Sequence, residues 1–399
     1  MRNVPKLRFK EFTDEWEKLN AEEIFKNVSN KNHNGDLPIL AVTQDKGVVY
    51  RDSLDLTINS SEKGIKSYKI IEPGDFIISL RSFQGGIEYS NLLGISSPAY
   101  TVLKSKIRIY DSFYKFYLKK ESFISELNST IEGIRDGKQI SYSMFSKLKL
   151  PYTTFEEQEK IGNFLLSIDK RISITEEKLN LFEEYKKGIM QKIFNQELRF
   201  KDSIGNDYPE WEEKKLEEIT SYVDYRGKTP EKTENGVFLV TAKNIKMGYI
   251  DYTASQEFVS SGNYDEIMKR GKPKIGDVLL TTEAPLGNVA QIDKEDIALA
   301  QRVIKFRGKE DLINNTFLKY AFLSDDFQNK LKNKAIGTTV LGIQGKVLHK
   351  LSLNFPISLI EQQKIADFLS SIDTKIEKIS DELENLKEFK KGLLQQMFV

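Results

Sequence analysis

Two stretches of the chain place apolar residues at alternating spacings of four and three. In the first, the seam runs through Ile161, Leu165, Ile168, Ile172, Thr175, Leu179, Phe182, Lys186, Ile189 and Ile193. In the second it runs through Ile365, Leu369, Ile372, Ile376, Ile379, Leu383, Leu386, Lys390, Leu393 and Met397. A period held through more than four heptads, with charged residues at many of the other positions, predicts long helices that pair as a two-stranded coiled coil. An ordinary amphipathic surface helix would carry a broader stripe and seldom hold register so long. Lys186 and Lys390 interrupt the two seams at the same place, each two residues before a glycine (Gly188, Gly392). Either the seam opens there and the lysine reaches solvent along its aliphatic stem, or the lysine is a register device or a docking point.

The two stretches are copies of one another. At an offset of 204, Glu157 to Phe194 match Glu361 to Phe398 at 17 of 38 positions without a gap. The likeness continues outside them: "LRFK" at Leu7 and Leu198, each followed by Glu-Trp, and "PGDFIIS" at Pro73 against "IGDVLLT" at Ile275. "LAVTQDKGVV" from Leu40 likewise resembles "LVTAKNIKMGYI" from Leu239. Between the helices lie short runs that alternate or are wholly apolar, bounded by turn residues: Asp75–Leu80, Ala99–Lys104, "DVLLTT" and Arg302–Phe306. A helical stretch follows in each half. The expected architecture is therefore α+β: two globular modules (1–152 and 198–355) and two helical segments (153–197 and 356–399), related by internal duplication.

Composition narrows the chemistry. With 399 residues, 30% charged and 39% apolar, the chain is expected to be a soluble multidomain protein. It has no cysteine, so thiolate metal sites and disulfides are excluded, and His33 and His349 are too few for a histidine-rich metal centre. The start lacks an apolar signal core and no uncharged run reaches membrane-spanning length, so no membrane contact and a cytoplasmic location are expected. No GxxxxGK[ST] loop occurs, and the spacing of "GIRDGK" at Gly133 is too short for one. No catalytic constellation is apparent. The net charge of +1 neither requires nor excludes nucleic acid.

What remains are polar loops that combine glycine with Arg, Lys, Asn, Gln and Thr, side chains that reach guanine, adenine and phosphate. They supply the candidate DNA contacts Gln44, Lys46, Arg81, Ser82, Gln84, Lys138 and Gln139 in the first half. In the second half they supply Arg226, Lys228, Lys243, Asn244, Lys246, Thr338, Thr339, Gln344 and Lys346. Taken singly, each such loop also reads as an ordinary exposed turn; if the modules read DNA, Arg81, Gln84, Lys243 and Asn244 lead as base readers, with Lys138 and Lys346 as phosphate contacts.

The doubled EQxKI-to-FLxxID helices, the Gly-Asp turns, "SSPAYTVL", "ALAQRVIKF" and "YPEWEEKKLEEI" together resemble the specificity subunit of type I restriction-modification systems. The resemblance covers nearly the whole chain. It implies two target-recognition domains, each reading half of a bipartite site in double-stranded DNA, held apart by two antiparallel helices. It also implies a non-catalytic subunit that docks two modification subunits, which methylate adenine N6 with S-adenosylmethionine. Restriction subunits that translocate and cut DNA with ATP and Mg complete the implied complex, so no cofactor or metal is expected on this chain. Two other classes stay open on the residues alone: a coiled-coil scaffold without DNA binding, and a stand-alone DNA-modifying enzyme.

Overall fold

The computed structural model describes residues 3–44, 46–54, 62–80, 82–129, 140–225, 230–337 and 340–399. Both heptad stretches are helical, over Phe155–Phe194 and Leu359–Gln396. The chain divides into two compact units, residues 1–177 with 381–399, and residues 178–380. Each unit thus takes the first part of one long helix and the last part of the other.

The same four-stranded antiparallel sheet forms in each unit. In the first, the order is Phe25–Val28, Thr101–Ser105, Phe76–Ile78, Glu88–Tyr89. In the second it is Thr220–Asp224, Val303–Gly308, Val278–Thr282, Leu286–Gln291. The strand before the sheet pairs with the strand that leads into the long helix: Glu17–Asn20 with Lys149–Tyr152, and Glu212–Lys215 with Ser352–Phe355. The helical stretch after each sheet is two helices, not one: Asp111–Tyr117 and Glu121–Ser129, then Asn315–Leu323 and Asp325–Lys334. In the second unit the break follows from Ser324, which leaves the helical region and whose Oγ accepts from the Phe327 amide.

The buried core of the first unit joins Phe25, Phe76, Phe113 and Tyr114 of the globule to Ile161 and Leu165 of one long helix, to Leu393 of the other, and to Met397 and Phe398 just past its end. The second unit repeats this with Phe306, Phe317, Phe322, Met190, Ile193, Ile365 and Leu369. In each unit the numbering of the second long helix falls as that of the first rises, so the segments run antiparallel. Asp169 meets Lys390 and Glu176 meets Lys387 in the first unit. Phe182 lies under Lys375 and Lys186 meets Asp373 in the second.

The repeated Glu-Gln that opens each long helix is buried and fully engaged. Glu157 takes a two-pronged bond from Arg8 (2.7 and 2.8 Å), one from the Trp16 indole at 3.0 Å and one from the Thr153 hydroxyl at 2.5 Å. Glu361 repeats the clamp with Arg199 and Trp211, at 3.1–3.3 Å. Gln158 accepts from the Tyr110 amide and donates to the Thr153 carbonyl. Gln362 accepts from the Asn314 amide and donates to the Leu312 and Pro356 carbonyls. Tyr110 and Asn314 immediately precede the first helix of each hairpin, so each glutamine ties a globule to its long helix. A local difference between copies has a steric cause: a Cβ at Gly162 would lie 2.7 Å from the Tyr110 ring, whereas the second copy, with Asn314 at the equivalent place, has Ala366.

The seam positions Ile161, Leu165, Thr175, Ile193, Ile365, Leu369, Ile372, Ile379, Leu393 and Met397 are buried. Ile168, Ile172, Leu179, Phe182, Ile189, Ile376, Leu383 and Leu386 are half-buried, as are Lys186 and Lys390.

Candidate nucleic-acid interface

In the first unit, the strands Leu40–Thr43 and Gly47–Tyr50 form a hairpin whose tip carries Gln44 and Lys46. The Gln44 amide donates to Gln84 at 2.9 Å, with both side chains exposed, so the fold brings together two loops that lie 40 residues apart in sequence. Lys46 is exposed, its amide held by the Thr43 hydroxyl. The turn after Gln84 needs glycine: Gly86 has φ +81°, and a Cβ there would lie 2.3 Å from the Leu118 carbonyl oxygen. Ser82 differs from Gln44 and Gln84. It is 1% exposed and its Oγ accepts from the Ser79 amide at 2.9 Å, so it organises the loop from inside.

In the second unit, Lys243 is exposed but Asn244 is not exposed at all. Asn244 Oδ1 accepts from the Thr241 amide and hydroxyl, and its Nδ2 donates to the Asp251 and Ser255 carbonyls. All four of its hydrogen-bonding positions are filled. The expected base-reading role therefore falls away in this conformation: Asn244 is the knot of its loop, and Lys243 is the residue that knot presents. Beyond it, Lys246 is half-buried and its amide bonds the Tyr249 carbonyl, making a tight turn with Met247 and Tyr249 exposed. Met247 faces a cleft of about 290 Å³ lined by Lys186, Lys187 and Met190 of the long helix and by Leu323.

Two further loops meet in this unit. Ile336 and Gly342 exchange backbone hydrogen bonds, and Gly342 bridges to Glu283 while the Ile343 amide donates to the Thr282 carbonyl. The cluster so formed carries exposed Gln344 and Lys346, together with an Arg302–Glu283 ion pair at 2.8 Å. Arg302, Met247 and Tyr249 are not among the candidates that the sequence supplies. An arginine next to a strand and an apolar turn have no local signature, and only the exposure of their side chains draws notice. Arg81, Lys138, Gln139, Arg226, Lys228, Thr338 and Thr339 lie outside the described residues.

Other charges are spent internally. Asp277 of the second Gly-Asp turn is fully buried, bound by both prongs of Arg307 (2.6 and 2.7 Å), by Lys305 and by the Lys274 amide. Asp75, its counterpart, accepts from the Glu72 amide and faces Lys104, and burial raises its pKa. These acids hold turns. Among the described residues no group of three or more His, Asp or Glu could hold a metal ion, and no helix is long and apolar enough to cross a membrane.

The type I restriction modification DNA specificity domain matches the chain twice, over residues 13–184 and 208–388. The chain is 31% identical over 344 residues to the type I restriction enzyme MjaVIII specificity subunit of Methanocaldococcus jannaschii, covering 82% of this chain and 78% of that one. It is 26% identical over 269 residues to a putative MjaX specificity subunit of the same organism, covering 64% and 59%. The crystal structure of a type I restriction-modification S subunit from M. genitalium matches with a TM-score of 0.59 at 15% identity, over 99% of both chains, a likeness of fold.

Proposed function

Since this chain belongs to the family of type I restriction modification DNA specificity domains, we propose that it is the DNA-reading subunit of a type I restriction-modification complex. In this reading each globular module (1–152 and 198–355) contacts one half of a bipartite site in double-stranded DNA. The helical segments 153–197 and 356–399 set the length of the unread gap. The chain itself performs no chemistry: two modification subunits bind S-adenosylmethionine and methylate adenine, and restriction subunits use ATP and Mg. The complex works where the chromosome is, in the cytoplasm.

The observation that carries this reading is the duplication itself. One chain holds two sheets of the same strand order, each clamped to a long helix by the same Arg–Glu–Trp set. A binder of two related but separately variable half-sites needs such a plan; a scaffold or a single-site enzyme does not. Gln44 with Gln84 in one module, and Lys243 with Gln344 in the other, are the exposed groups proposed to meet base edges. Lys46 and Lys346 are proposed to meet phosphates, where each lysine adds affinity without sequence preference. Replacing residues 20–150 with the matching module of another family member tests the reading. Methylation mapping in cells that also express the modification subunit should show one half of the motif changed and the other kept. Change in both halves, or in neither, sinks it.

A further inference from the structure

The two lysines that break the apolar seams are both paired, and with the same kind of residue. Lys186 Nζ lies 2.6 Å from Asp373 in one unit, and Lys390 Nζ lies 2.5 Å from Asp169 in the other. Asp169 and Asp373 are the final residue of the repeated FLxSID string, and the offset of 204 that relates the two copies carries each pair onto the other. The pairs are part-buried, with side chains 20–31% exposed. In the second unit Asp373 also accepts from the Tyr320 hydroxyl at 2.6 Å, with Lys319 at 3.6 Å, so one carboxylate joins both long helices to the globule. In the first unit Phe116 stands where Tyr320 would be, under Lys390.

A heptad seam of Ile and Leu is nearly self-similar: sliding one helix by seven residues still sets apolar against apolar. The Asp–Lys pairs are not self-similar. Sliding by one heptad in one direction sets Asp373 and Asp169 against Ile193 and Met397, and in the other direction against Leu179 and Leu383. Either slip buries carboxylates in apolar surroundings and strands at least one lysine. We propose that Asp169–Lys390 and Asp373–Lys186 are a duplicated register lock. Resting on the reading that the helices set the unread gap, these four residues are then specificity determinants for gap length. They do so without touching DNA: one heptad is about 10 Å of helix, or about three base-pair steps.

The chain has no cysteine, so register can be read by paired cysteines joined with a short bismaleimide. Glu176→Cys with Lys387→Cys reports the native register, because these side chains meet at 2.6 Å. Glu176→Cys with Leu394→Cys reports a slip of one heptad. In the otherwise unaltered chain only the first pair should link. Lys186→Leu/Lys390→Leu, which completes the apolar seam, should at least halve the native cross-link and bring up the slipped one. The charge-exchanged chain (Lys186→Asp, Lys390→Asp, Asp169→Lys, Asp373→Lys) should return to the native pattern. Unchanged cross-links in the leucine variant, or a slipped pattern in the charge-exchanged one, overturn the lock. In the assembled complex the leucine variant should also methylate sites whose gap differs from the original. If the unaltered complex methylates no bipartite site, the reading of function fails, while the cross-links still decide the lock.

Discussion

At the residue scale, the two Arg–Glu–Trp clamps are chemically alike but differently tight. Arg8 meets Glu157 at 2.7 and 2.8 Å and Thr153 adds a further bond, whereas Arg199 meets Glu361 at 3.1 and 3.3 Å. Arg199 also donates to the Tyr208 and Pro209 carbonyls, so it keeps partners if the carboxylate is lost. Breaking a buried ion pair from one side costs about 3–5 kcal/mol. Glu157→Ala should fall in that range and Glu361→Ala clearly below it, as read from urea unfolding midpoints. Lys319 offers a pH test. Burial pulls its pKa below 10.5, partly opposed by Asp373. The unfolded chain therefore holds this proton to higher pH than the folded one, and stability rises as pH climbs through the lowered value towards 10.5. Lys319→Met should remove that contribution, so thermal melts from about pH 7 to 10.5 should show a shallower upward trend in the variant.

At the element scale, burial along the seam decides what each truncation costs. Leu165 and Leu369 are fully buried where globules cover the helices, while Ile172 and Ile376, near the helix middles, are only half-buried. Leu165→Ala and Leu369→Ala should therefore lose about 2–5 kcal/mol, the range for leucine truncation in a core, and Ile172→Ala and Ile376→Ala no more than about 2 kcal/mol. Chemical denaturation of the four variants tests the order; equal losses would mean the helix middles are as tightly packed as the ends. A Cβ added at Gly188 would meet nothing within 4 Å, and one at Gly392 only the end of the Gln396 side chain. Nothing among the described residues explains why both copies keep a residue that costs a helix about 1 kcal/mol.

At the scale of the whole molecule, the proposed ruler makes a length prediction. The helical stretch from Ile161 to Ile193 rises by about 50 Å at roughly 1.5 Å per residue. Inserting a second "KLNL" after Leu181 adds about 6 Å and roughly one helical turn, which keeps the seam facing its partner. The unread gap in the methylated motif should lengthen by one or two base pairs, with both half-sites unchanged. A two-residue insertion turns the remainder of the helix by about 200° and should abolish methylation. Sequencing methylated DNA from the two variants checks both outcomes; an unaltered gap in the four-residue variant would mean that the helices do not set it.

Much of this plan was legible in the sequence because it rests on periodic patterns. Heptads drew the long helices, since the seam period survives any tertiary context, and the 204-residue offset declared the duplication. Gly-Asp turns and apolar runs located the central strands. Pairings between distant residues were not legible, because nothing local encodes them. The Glu-Gln of the repeated string could be seen twice, but not that it grips Arg8, Trp16 and the Tyr110 amide. Asn244 and Ser82 look like reading residues in a string of polar loop positions, yet burial turns them inward, while Gln44 and Gln84 stay exposed and meet. Side-chain type and spacing are properties of the chain. Which polar groups are consumed in holding a loop, and which are left facing water, depends on what the fold packs against them, and only the tertiary structure decided that.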